Sequence, residues 1–396
     1  MTVKVSKPAI NVREELADLK KPTGLAGEAM LRAETPQEQF NLIGAGRRRI
    51  NINGDMRVAQ RGTSISLAAA SAFLVDRWRL NNNVGGTVTY SRHASDHPEF
   101  PHSIKVLTTT ADTSISAGNY CLLSHELEGQ DIQHLNWGTA SAKPLTVSFW
   151  VKSSEPTMYT LEIQTAGSIE MAREVHINSA NTWEYKTVNF PPNIVSTAIP
   201  TNNALGLGLI FWLTGGSTFS GGASLNQSWA NASNSLRAVG TGNVQSAVNK
   251  YFEITGLQME VGNIATPFEH RSYGEELALC QRYFQRYEYA SGSMEVALQS
   301  GSTTGIFNLK YSPKRADPSV TLPTNAVANG ANIMSLLTSS GSYRSSAGSA
   351  VADRISKDNA RITFSGYPAS GATGDATWAY FASTSVDPYI DIEAEL

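Results

Sequence analysis

The sequence predicts a mostly β chain in four parts. These are a helical N-terminal docking arm over residues 1–46, a β-sandwich over 47–270, a short helix over 271–288 and a small C-terminal β-sandwich over 289–396. Three observations carry that expectation. Helix-start signals crowd the first forty-odd residues, and two-residue alternation bounded by Gly, Pro, Asn and Ser takes over from about Ile50. One helical pattern, from Ser272 to Tyr287, then interrupts the strands. At 396 residues the chain has room for more than one core.

The arm holds many charges and one aromatic, Phe40. Asn11 followed by Glu14 marks one helix start. In Thr35-Pro36-Gln37-Glu38 the Thr caps, the Pro suits the first helical position and the Glu completes a capping box. Gly44 is a C-terminal stop, and Pro22 to Gly27 separates the two helices. Two short helices cannot bury a core alone, so the arm is expected to lie against another protein. Ile10, Val12, Leu16, Leu19 and Phe40 are its docking residues.

In the sandwich, Leu145, Val147, Phe149 and Val151 fall on one face of a half-buried antiparallel strand. Ile104 to Thr109, Met158 to Gln164 and Glu184 to Phe190 are further strands, and Leu205 to Leu213 reads as a central one. From Phe252 to Val261 the apolar phase shifts at Gly256, which predicts a bulge, because a one-residue slip would turn every later side chain to the wrong face. Thr214 to Lys250 is rich in Ser, Gly, Asn and Ala and long for a loop inside a domain, so it is a candidate binding surface.

Ser272 and Glu275 form a capping box. Leu277, Cys280, Phe284 and Tyr287 follow at spacings of three, four and three, the seam of a heptad on which three copies of the chain could meet. The same spacing also fits a helix lying on its own domain. Beyond it, Ser293 to Leu309, Ala360 to Phe364 and the alternating end YIDIEAEL read as strands of a second sandwich.

Composition excludes several classes. Charged residues make up 16% of the chain and the net charge is −3, so bulk electrostatics point to no nucleic-acid partner. Arg47-Arg48-Arg49 reads as a solvated turn. Cys121 and Cys280 sit in apolar patterns and build no disulfide framework. The N-terminal stretch lacks the apolar core of a secretory signal, which implies synthesis in the cytoplasm. Ala204 to Leu213 is about half the length of a spanning helix, so no membrane span is expected.

Chemistry-bearing sets are weak. His93, Asp96, His97, Glu99 and His102 crowd one loop with two prolines, at spacings that match no helix face or hairpin metal clip. No nucleophile elbow, zinc-protease motif, phosphate loop or CxxC pair occurs. Glu126, Glu128 and Asp131 are candidate glycosidase acids, but nothing in the sequence makes them converge. The expectation is therefore no enzyme and no cofactor. Trp137, Trp183, Trp229 and Trp378 lie near turns, where an indole can stack on a sugar or simply pack. Trp229 and Phe219, both in the long polar stretch, are the candidate carbohydrate-binding residues.

Two blocks, LEGQDIQHLNWGTASAKPLTVSFWVKSS from Leu127 and FEITGLQMEVGNIATPFEHRSYGEELALCQRYFQ from Phe252, resemble bacteriophage tail-fibre and related structural proteins that carry a carbohydrate-binding-like jelly roll. The arm from Lys7, followed by NINGDMRVAQRGTS, resembles the N-terminal regions of fibres from short-tailed phages, including cyanophages. The resemblance implies a jelly roll and a homotrimer of the virion tail. It implies that the arm docks to tail adaptor or nozzle proteins and that the distal domains contact host glycan or lipopolysaccharide. It also implies a structural calcium site near Asn53-Gly54-Asp55 and Glu260. A glycan-degrading spike, and an adaptor or capsid-attached fibre that binds no receptor, are the alternatives.

Overall fold

A computed structural model describes residues 48–195, 198–290, 292–301, 303–323, 334–338, 341–343, 349–365, 373–374, 376–381 and 389–396, with the isolated positions Met30, Arg32 and Gln39. The arm residues Ile10, Val12, Leu16, Leu19 and Phe40 lie outside this set.

The first thirteen strands are β1 Ser64–Ala68, β2 Ser71–Phe73, β3 Trp78–Asn82, β4 Thr87–Ala94, β5 His102–Thr110, β6 Tyr120–Glu128, β7 Leu145–Ser153, β8 Thr157–Thr165, β9 Ile169–Ile177, β10 Glu184–Phe190, β11 Leu205–Gly215, β12 Ala230–Asn231 and β13 Tyr251–Val261. They form two sheets, in the orders β1-β4-β5-β13-β7-β10 and β12-β9-β8-β11-β6-β3-β2, with antiparallel pairings. The sheets close on one core, to which β7 contributes Leu145, Val147, Phe149 and Val151 and the opposite sheet contributes Leu161, Ile163, Leu209 and Phe211. This is the expected two-sheet sandwich.

Two details differ from the sequence reading. Thr146 and Ser148, on the outer side of β7, are also buried, because the chain after β13 folds back over them. The Thr146 hydroxyl donates to the Gly262 carbonyl at 2.6 Å. The long polar stretch is a built structure on the outer face of the second sheet, with a short helix α1 at Ser217–Ser220 and β12 paired to β9. Arg237 pins it there, its Nη2 2.6 Å from Oε1 of buried Glu162.

The predicted bulge is present. The register of β13 against β7 shifts between Thr255 and Gln258, with Gly256 at φ +59°.

Helix α2 spans Tyr273–Gln281, and the Ser272 hydroxyl caps it by accepting from the Glu275 amide at 3.3 Å. The heptad reading then fails. Phe284 and Tyr287 lie on a strand, β14 Phe284–Glu288, and Phe284 and Cys280 are fully buried within the single chain. Cys280 packs with Ile52, Val58 and Tyr283, and Leu277 leans on the same cluster. The spacing of three, four and three thus reports two consecutive elements rather than one helical face. Strand pairing to the distant segment Tyr389–Glu393 wins over helix continuation.

That segment completes a second unit. Its strands after β14 are β15 Met294–Gly301, β16 Thr304–Lys310, β17 Ser319–Thr321, β18 Met334–Thr338, β19 Gly341–Tyr343, β20 Ser349–Asp353, β21 Asn359–Ser365, β22 Ala376–Phe381 and β23 Tyr389–Glu393. A three-stranded sheet, β14-β23-β17, and a seven-stranded sheet, β19-β18-β22-β15-β16-β21-β20, share a core that includes Phe307, Ile362, Phe381, Ile390 and Ile392. The alternation of the C-terminal strand places Ile390 and Ile392 inward, as the sequence predicts.

Charged side chains fill the joint between the units. Arg49 is buried and paired with buried Glu276, so at this residue the arginine run is no solvated turn. Glu276 also accepts from the Asn53 amide at 2.5 Å. Arg77 pairs with Glu395, and Arg61 reaches Glu395 at 3.2 Å and Glu393 at 3.1 Å. Glu128 forks onto Arg282 at 2.9 and 2.8 Å.

Candidate functional site: an aromatic cleft on the open sheet face

In β7 the alternation that sends Phe149 into the core sends Ser148, Trp150 and Lys152 to the other side. There, on the outer face of the six-stranded sheet, is a cavity of about 350 Å³ lined by Glu99, Phe100, Ser148, Trp150, Tyr185, Gly256, Pro267 and Phe268. Tyr185 stands opposite Trp150 on the neighbouring strand, with ring centroids 5.2 Å apart. Phe268 meets Phe100 edge to face at 5.0 Å. Gly256 admits Phe100, because a Cβ there would stand 2.7 Å from two of its ring atoms. The bulge that the phase shift predicts therefore forms part of the cavity wall.

The His-rich loop between β4 and β5 makes the other wall. Asp96 anchors it, accepting from Lys152 Nζ at 2.6 Å and from Trp183 Nε1 at 2.7 Å. Those hydrogen bonds hold the Asp96 carboxyl down at about 2. The His97 ring is set among Trp150 at 4.5 Å, Phe100 at 5.2 Å and Trp183 at 5.6 Å, and burial lowers its pKa. Burial alone would lower Lys152 as well, but Asp96 and buried Glu253 outweigh it and leave the ammonium more basic than usual. The loop is thus an aromatic and ionic structure. Among the described residues no group of three or more His, Cys, Asp or Glu could hold a metal.

The residues singled out from sequence lie elsewhere. The indole of Trp229 donates to the Pro191 carbonyl at 2.8 Å, and its ring meets Trp137 at 5.0 Å and Phe190 at 6.1 Å. Phe219 rests on Trp212 at 5.1 Å and Tyr120 at 5.5 Å. Both pack on other rings, Trp229 against Trp137 and Phe190 of β10 and Phe219 on the second sheet, and the structure does not join them into one surface. The two calcium candidates each have other partners. Asp55 pairs with Arg57 at 2.5 Å, while Glu260 accepts from Gln258 Nε2 and from the Thr266 amide and hydroxyl. Of the candidate acids, Glu128 is held in the joint by Arg282, and burial raises Glu126 and Asp131.

Sequence reading missed Trp150, Tyr185, Phe100 and Phe268. The available signal was parity, since a Trp at position 150 falls on the face opposite the core residues of its own strand. The cleft offers the rings of Trp150, Tyr185 and Phe268 for the apolar faces of a ligand, over a floor where Phe100 and Ser148 are almost fully buried, with Glu99 as the carboxylate among its described lining residues.

No protein-family model and no curated protein matches this chain. Among solved structures it is similar to a CBM4 structure at 10% identity and a TM-score of 0.28, over 53% of this chain and 98% of the other. It is similar to the enzymatically active domain of bacteriophage CBA120 tailspike protein 4 at 11% identity and 0.27, over 54% of this chain and 22% of the tailspike chain. It is also similar to TmCBM61 in complex with β-1,4-galactotriose at 14% identity and 0.25, over 47% and 88%. Likenesses of this strength carry no weight for what the cleft takes. Among the described residues no helix is long and apolar enough to cross a membrane.

Proposed function

We propose that this chain is a non-catalytic fibre protein that binds glycan in the Trp150 cleft. In this reading it is a homotrimer of a phage tail, docked to adaptor or nozzle proteins by its arm, with its β domains held against host polysaccharide or lipopolysaccharide. The observation that carries the glycan part is the aromatic cavity of Trp150, Tyr185 and Phe268 over buried Phe100 on the outer face of the six-stranded sheet. The tail part rests on the residue blocks that resemble tail-fibre proteins. Binding is favoured over cleavage because glycosidic hydrolysis needs two carboxyl groups across the bond, and among the described residues Glu99 is the one carboxylate lining the cavity.

The test is an array of bacterial surface polysaccharides probed with the full-length protein, with Trp150→Ala, and with Trp229→Ala as a control. Loss of binding in Trp150→Ala alone supports the assignment. Loss in Trp229→Ala alone moves the site to the Trp229–Trp137 cluster. Release of reducing ends replaces this reading with the degrading spike, and no binding by the parent protein leaves the structural adaptor.

A further inference from the structure

We propose that copies of this chain meet through the outward face of the seven-stranded sheet in the C-terminal unit. This rests on the homotrimer part of the reading above and is independent of the glycan part. Strand β15 is at the centre of that sheet, and its alternation is inverted. Met294, Val296 and Leu298 are 54%, 63% and 52% exposed, while Ala297 and Gln299 point inward at 1% each. An antiparallel sheet with one solvated face should carry its large apolar residues inward and its polar ones outward. Here the larger side chains are on the open side.

The neighbouring strands extend the patch. Val296 stands opposite Trp378, which is 44% exposed. Leu298 stands opposite Ile306, which continues through Thr363 to the exposed Val351, so one row crosses four strands. At the rim Arg361 forks onto Asp353 at 2.7 and 2.8 Å. An apolar centre with a polar rim is the anatomy of a protein–protein interface.

Size and charge select the occupant. Five apolar side chains that are each about half exposed leave on the order of 500 Å² of apolar surface, near the upper limit for a patch on a monomer. A stable interface needs about 800 Å² per partner, of which roughly 65% is apolar where copies of one chain meet. The patch fits that requirement. Charges of both signs flank it, Glu295 on β15, Lys310 at the end of β16 and the Arg361–Asp353 pair at the rim, so no single sign selects an acidic or basic partner, and like faces of several copies can meet on one axis.

Multi-angle light scattering on the full chain tests this with Val296→Glu, the milder Leu298→Gln and the control Ile264→Glu, whose site is 66% exposed on the sandwich. The parent and the control are expected at the same multiple of 42.6 kDa. Folded Val296→Glu is expected at the single-chain mass, and Leu298→Gln to dissociate at a concentration at least tenfold higher than the parent. If Val296→Glu aggregates, Leu298→Gln decides. A parent multimer that both substitutions leave intact overturns the interface but not the oligomer. A monomeric parent overturns both, and capture of a host protein by that monomer would give the face to a different partner.

Discussion

Gly256 and Phe100 share a space that only glycine permits: an ideal Cβ on Gly256 would lie 2.7 Å from Cε2 and Cζ of the Phe100 ring, at a φ of +59°. Gly256→Ala is expected to cost about 1–3 kcal/mol from the left-handed backbone and the contact together. It should also push Phe100 out of the cavity wall. A urea melt and a glycan-binding titration check this, and an unchanged midpoint would mean the ring yields without strain.

The Asp96–Lys152 contact predicts a pH dependence. The folded pKa of Asp96, about 2, is below the ordinary carboxyl value of 3.8, so its contribution is complete above the unfolded value and is lost as pH falls from about 4 towards 2. Because the carboxylate is largely exposed, solvent screening keeps the effect small. Once corrected for its intrinsic pH dependence, amide hydrogen exchange in residues 95–101 should therefore quicken across that window, and Asp96→Asn should show the quick corrected rate at pH 6. Equal rates in both proteins would show that other contacts hold the loop.

Arg49→Ala leaves Glu276 buried with its ion pair to Arg49 gone, although the Asn53 amide still donates to it and Arg271 lies 3.6 Å away. Removing one member of a buried pair costs about 3–5 kcal/mol, and the remaining partners place this case near the lower figure. Chemical denaturation of the folded variant measures it. A loss under about 1 kcal/mol would indicate that water enters the joint.

Lys314 is buried in the joint, where it donates to the Gln281 carbonyl and stands 3.3 Å from Gln285 Oε1. Burial depresses its pKa from 10.5 to about 7. Between those values the unfolded chain binds more protons, so this group makes stability rise with pH, and below about 7 the cost of burying the charge is complete. Relative to Lys314→Met, the parent should gain a few kcal/mol, to order of magnitude, between pH 7 and pH 10. Parallel stability curves for the two proteins would contradict a depressed pKa.

Local pattern made some of this legible. The parity of Leu145 to Val151, the phase shift at Gly256 and the Ser272 cap each depend on neighbours within a few residues, and each appears where the sequence places it. The seam through Phe284 and Tyr287 did not survive because its competitor, β23, is more than a hundred residues away in sequence. Trp229 has a polar sequence context, yet its indole packs on Trp137, about ninety residues earlier. The cleft was half visible: Trp150 shows itself by parity, but Phe100, Tyr185 and Phe268 reach it only once β10, β13 and the loops are paired and folded back.

The joint carries a kinetic consequence. Its contacts from Arg77 and Arg61 to Glu395 span 318 and 334 residues of chain, so closing them needs almost the largest loops the polymer can form. Loop-closure entropy grows only slowly with length, but it must be met before the contact returns any enthalpy. Each unit should therefore fold on its own timescale, with their mutual orientation set last. Refolding monitored at both places should show a slow docking phase after the cores have formed.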